Sequence, residues 1–168
     1  MAEPKKITPR QALMKLTALC SQAEHCTADM EEKLRKWAID EHDQAEIMAY
    51  LLRERYVDDA RFARFFINDK LRFNKWGRRK IEQALQQKHI PSSVSAPLFA
   101  EIEDETYMEV LLPMLRSKWK TIKGRNEYER SMKLIRYAMG RGYDITVIRK
   151  CVDLIAGADT EADVWDED

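Results

Sequence analysis

The sequence predicts an all-α protein made of three tandem three-helix units of helix-turn-helix-like form. Three observations carry that expectation. Only five glycines and five prolines interrupt 168 residues, while Leu, Glu, Lys, Arg and Gln, all good helix formers, are plentiful. Apolar residues recur at three- and four-residue steps, and strand-type alternation is absent. Helical segments of similar pattern return after 51 and then 53 residues.

Each helix has its own stripe. The first is expected over 10–22, where Leu13, Leu16 and Leu19/Cys20 recur at helical steps. The second covers 28–39 with Met30, Leu34 and Trp37, and the third 44–55 with Ile47, Met48, Leu51 and Leu52. Asp58 and Asp59 then stand before the fourth, 59–73, as capping carboxylates for its positive end. Its Phe62, Phe65 and Phe66 are expected in the core, as are Met108 and Met114 of the seventh helix. The fifth helix, 77–89, carries Ile81, Ala84 and Leu85, and "PSS" offers an N-cap for the sixth at 94–102. Helices at 105–121, 126–141 and 145–156 follow, with "GRN" and "GRGYD" among the breaks.

The repeat is visible when "MEEKLRKWAI" (30–39), "IEQALQQKHI" (81–90) and "LIRYAMGRGY" (134–143) are set in register. Met30, Ile81 and Leu134 then coincide, as do Leu34, Leu85 and Ala138, and each segment closes on a large apolar residue, Ile39, Ile90 or Tyr143. Amphipathic helices converge easily, so the near-equal spacing carries the repeat reading. Units of this kind stack in a row and present a long surface. The expected divisions are a flexible 1–9, repeats at 10–57, 58–102 and 103–158, and an acidic, disordered tail at 159–168.

Composition excludes several function classes. Apolar runs fall short of the roughly 18 residues that span a membrane, and "MAEPKKITPRQ" lacks the apolar core of a signal peptide. A cytoplasmic chain is expected. Its three cysteines, Cys20, Cys26 and Cys151, fit reduced thiols. "CSQAEHC" resembles half a zinc site, but His42 and His89 do not complete it. There is no Gly-rich phosphate loop, no G-x-S-x-G and no H-E-x-x-H. No catalytic residue, cofactor or metal is expected.

Charge is the more telling pattern. The chain balances 29 basic against 29 acidic side chains. Residues 58–100 nevertheless carry nine basic and four acidic groups, 101–158 eleven and nine, and 159–168 six acids and no base. The candidate partner-binding residues are Lys70, Arg72, Lys75, Arg78, Arg79, Lys80 and Lys88. Lys70 and Arg72 suit a helix C-terminus, so structure alone explains them. Arg78, Arg79 and Lys80 occupy a first turn, where positive charge opposes the helix dipole by ~0.3–1 kcal/mol each. Either an acidic partner or a solvated face answers for them. Acids would suit that turn, so charge reversal is expected to leave the fold intact. Trp76, just before it, reads as a packing staple or as a partner anchor.

The stretch "YVDDARFARFFINDKLRFNKWGRRKIEQALQQKHI" (56–90) resembles the middle repeat of the RecX family, regulators of the RecA recombinase. The matching elements are Asp58-Asp59, Arg61-Phe62-Ala63, Gly77-Arg78-Arg79 with Ile81, Leu85, and Lys88 with Ile90. The third repeat adds Arg141-Gly142-Tyr143 and Ile148. The likeness spans about 10–156 and departs from the family where His89 and Ala38 replace a glycine. The resemblance implies an elongated, curved row of three-helix repeats. It further implies a non-enzymatic modulator of recombination and DNA repair. Such a protein lies in the groove of the RecA–DNA filament and restrains filament growth, ATP hydrolysis and strand exchange. Some members bind DNA directly, so single- or double-stranded DNA is a second expected partner. A direct nucleic-acid binder using the basic middle repeat is the alternative, weakened by a pI near 6.8. A monomer is expected.

Overall fold

The computed structural model describes residues 6–165, with side chains through Gly157. Every regular element among them is a helix. The first five are α1 (Pro9–Gln22), α2 (Thr27–Lys36), α3 (Glu41–Arg53), α4 (Asp59–Arg72) and α5 (Arg78–Gln87). Then come α6 (Ser92–Ala100), α7 (Asp104–Trp119), α8 (Glu127–Gly140) and α9 (Ile145–Trp165). The starts and ends fall within a few residues of the sequence expectation, except that α9 runs on to Trp165. Its helix therefore enters the segment for which composition predicts disorder. The side chains of that acidic segment, Trp165 included, lie outside the described residues, as do residues 1–5.

By contact the chain divides into two compact units, one of residues up to 66 with 85–95, the other of 67–84 with residues from 96 onward. In the first unit α1 and α2 pack on α3. Ala12, Leu16, Met30, Leu34, Ile47, Met48 and Leu51 form its core, closed by Ile39 and Val57. In the second unit α7, α8 and α9 pack on one another, burying Leu111, Leu115, Leu134, Ala138, Val147, Ile148 and Cys151.

Starts and stops follow the local sequence. Thr8 and Gln11 exchange hydrogen bonds in a capping box before Pro9. Asp40 accepts from the Asp43 amide and Asn126 from the Glu129 amide. Asp58 likewise caps α4, accepting from the Arg61 amide at 3.0 Å. Asp59 does something the sequence reading did not assign. Its Oδ1 accepts from the Thr27 amide at 2.8 Å and so caps α2, whose own N-cap, Cys26, makes no side-chain capping bond.

The second and third helices of each repeat are joined by the same turn. Ala38, His89 and Gly142 have left-handed backbones, with φ of 54°, 58° and 93°. The next residue in each case donates its amide to the carbonyl five positions back: Ile39 to Leu34, Ile90 to Leu85, Tyr143 to Ala138. This is the left-handed stop of a helix, with its buried apolar residue just after. The residues that coincide in the sequence register are therefore the donors and acceptors of one repeated turn. Arg55 and Lys75 are left-handed too, with φ of 57° and 56°.

The core expectation is corrected at four of its five residues: Phe66, Met108 and Met114 are only half-buried, and Phe65 lies outside the core. Phe62 is buried, but Phe65 is 58% exposed. The buried stripe runs through Phe62, Ala63, Ile67 and Leu71, and at 100° per residue Phe65 falls on the far side of the helix from its centre.

Candidate partner-binding surface

The basic turn at the start of α5 is built against the end of α8. The Gly77 amide donates to the Arg141 carbonyl at 2.9 Å, and the Arg79 amide to the Gly142 carbonyl at 3.0 Å. Two orphan donors of one helix start thus satisfy carbonyls at another helix's end. The approach is close enough to require glycine on both sides. A Cβ at Gly77 would overlap the Gly142 carbonyl and the Tyr143 amide, and one at Gly142 would lie 2.6 Å from the Lys80 amide nitrogen. Arg141 and Tyr143 complete the clasp. The Arg141 guanidinium donates to the carbonyls of Asn74 and Lys75, and the Tyr143 hydroxyl donates to that of Lys75 at 3.0 Å. Burial pushes the Tyr143 phenol well above its ordinary range.

This geometry changes the meaning of the cations. α8 has no basic residue in its own last turn, so Arg78, Arg79 and Lys80 bring positive charge to its partially negative end. They also have side-chain partners. Arg78 pairs with Glu82 and lies 5.2 Å over the Phe99 ring. The hydrogen bond to Glu82 raises its pKa. Arg79 Nε donates to Asp144 at 3.1 Å. Lys80 Nζ stands 4.8 Å over the Trp76 ring, and Lys70 Nζ stands 5.4 Å over it, with Lys70 also 3.8 Å from Asp69. Five of the seven candidates, Lys70, Lys75, Arg78, Arg79 and Lys80, therefore gather around one clasp. Acids in the basic turn would face Glu82, Asp144 and the carbonyl end of α8, so reversal is expected to cost stability.

The remaining two separate from that group. Arg72, exposed at the end of α4, makes no ion pair among the described residues. Lys88 belongs to the first unit and donates to Asp29 at 2.9 Å. Burial acts to raise the Asp29 carboxyl, but hydrogen bonds from Lys88 and Cys26 outweigh it and hold the pKa below its usual value. In the same unit burial pushes the Cys26 thiol up to about 11, which suits an inert core cysteine. Arg61 plays the part that Arg141 plays in the other unit. Its guanidinium donates to the carbonyls of Arg55 and Tyr56, and to Glu24 at 2.7 Å.

Positive charge without an acid lies further along the chain. Residues 116–136 hold eight basic and two acidic side chains. Arg116, Lys118, Lys120 and Arg136 are exposed there, and none has a carboxylate partner among the described residues. Arg130 is different, stacked 3.9 Å over the Trp119 ring. The count was available in the sequence. It was diluted by the acids of 101–109, which fall in the same 101–158 segment of the charge count.

The comparisons agree with this architecture. A model of the RecX second three-helix domain matches residues 58–96, and one of the RecX third three-helix domain matches residues 105–152. The regulatory protein RecX of Acinetobacter baylyi is 28% identical over 138 residues, 82% of this chain and 84% of that protein. That of Chlorobium limicola is 27% identical over 152 residues, 90% and 92% of the two chains. The crystal structure of RecX from Lactobacillus salivarius matches with a TM-score of 0.81 at 15% identity, over 88% of this chain and 96% of that one. A second crystal structure, of regulatory protein RecX, gives 0.78 at 19% identity, over 86% and 73%. At such identities the structures speak for the helical repeat fold alone. The two domain matches together span more than half of the chain, and on that ground the chain belongs to the RecX family of regulatory proteins.

Proposed function

We propose that this protein is a non-enzymatic regulator that binds the RecA–DNA filament and lowers its activities: ATP hydrolysis, strand exchange and growth. The observation that carries the reading is family membership, with relatives over most of the chain named regulatory protein RecX. One feature of the chain supports it. The chain offers exposed cations without acidic partners on α7 and α8, suited to an acidic protein surface or to phosphates inside a filament. No helix among the described residues is long and apolar enough to cross a membrane, and none of them form a cluster able to hold a metal.

Direct nucleic-acid binding is the second reading, favoured by the excess of cations over 116–136. Sedimentation separates the two. The regulator should pellet with assembled filaments at salt concentrations that strip it from naked DNA. Equal, steeply salt-dependent pelleting with both would make it a nucleic-acid binder.

A further inference from the structure

The second unit carries a groove of about 420 Å³ on α7. Pro113, Met114 and Tyr137 give it an apolar part of its lining, and Lys75, Lys118, Ser117 and Thr121 a polar part. No carboxylate is among the lining residues. Lys118 Nζ lies 5.0 Å over the Tyr137 ring. Lys75 is fixed in place by the clasp, since Arg141 and Tyr143 both donate to its carbonyl at 3.2 and 3.0 Å. Its backbone is left-handed, with φ of 56°, and such strain persists only where the surroundings over-determine it. Neither the Lys75 ammonium nor the Ser117 hydroxyl has a partner among the described residues. Arg116 and Lys120, also on or beside the end of α7, add positive charge without acids to neutralise it.

We propose that this groove binds an acidic peptide segment of the protein partner, seating one aromatic or aliphatic side chain on Pro113, Met114 and Tyr137 while flanking carboxylates meet Lys75 and Lys118. The partner's identity rests on the regulatory reading above, and the chemistry of the groove does not. Exposed ion pairs alone contribute little, so an apolar anchor between them is what gives a peptide affinity. A polynucleotide draws its affinity from a row of phosphates. Here two cations flank a single apolar seat, which reads a side chain instead.

The test is fluorescence anisotropy at low ionic strength with a labelled acidic decapeptide bearing one central Trp. The same peptide with Ala at its centre and a ten-residue oligothymidylate are the comparisons. The Trp peptide should bind at least about tenfold more tightly than the Ala peptide. Ser117→Trp, which fills the groove without altering charge, and Lys118→Met, which keeps most of the apolar stem, should each weaken it by about the same factor. Melting curves check that both variants fold, and the Trp-against-Ala contrast on the unaltered protein needs neither. Equal binding of the two peptides overturns the proposal. So does oligothymidylate that displaces the Trp peptide and itself loses affinity on Ser117→Trp, which would make nucleic acid the occupant. If Ser117→Trp abolishes peptide binding but leaves filament pelleting intact, the groove does not serve the filament, and the regulatory reading stands without it.

Discussion

A methyl group at Gly77 would overlap the backbone of Gly142 and Tyr143, and helix propensity does not compensate for a clash with main chain. Gly77→Ala should therefore destabilise the protein by more than ~2 kcal/mol. Gly140→Ala is the control, because nothing lies within 4 Å of a Cβ there. It should stabilise by ~0.5–1 kcal/mol through reduced chain entropy. Equal effects in urea titrations would deny the clasp between the two glycine turns. His89 gives the converse case. Its φ of 58° burdens an L residue by about 1–2 kcal/mol, partly offset by the ~0.5–1 kcal/mol entropy a glycine loses on folding. His89→Gly should raise stability by roughly 0.5–1 kcal/mol, and a fall in the urea midpoint would contradict it.

Among elements, α5 and α8 show why charge read along a helix misleads. Arg78, Arg79 and Lys80 oppose the dipole of their own helix but complement the end of α8, 60 residues away in sequence. Sequence reasoning had the dipole sign right and lacked the neighbour that reverses its consequence. The triple reversal Arg78→Glu, Arg79→Glu, Lys80→Glu should cost ~1–2 kcal/mol of stability, read as a lower melting temperature before any binding is measured. The pair Lys88–Asp29 is testable through pH. The folded Asp29 pKa is depressed, so its contribution is fully present above the unfolded value of about 3.9. It is lost as pH falls through the folded pKa. Asp29→Asn should remove that part of the acid limb and leave the slope above pH 5 unchanged; an unaltered acid limb would show that the pair contributes nothing. Helix number, order and the repeated turn were legible, because apolar periodicity and spacing are local properties. The cap from Asp59 to α2 and the exposure of Phe65 were not, because each depends on which faces meet across the fold.

For the whole molecule, net neutrality conceals where charge is available. The basic middle segment that stood out in the sequence is largely engaged, by Glu82, Asp144, Asp29 and the Trp76 ring. The motif Gly77-Arg78-Arg79 and the motif Arg141-Gly142-Tyr143 are thereby two halves of one structural device. Arg116, Lys118, Lys120 and Arg136 have no carboxylate partner among the described residues, and the proposed regulatory contact draws on them. The central claim is tested most directly by ATP hydrolysis of the cognate recombinase on single-stranded DNA, with this protein added well below one molecule per recombinase. Inhibition at those ratios, weakened by Lys118→Met in a folded protein, is the predicted result. Undiminished hydrolysis with the folded protein, even at equimolar amounts, would contradict the account.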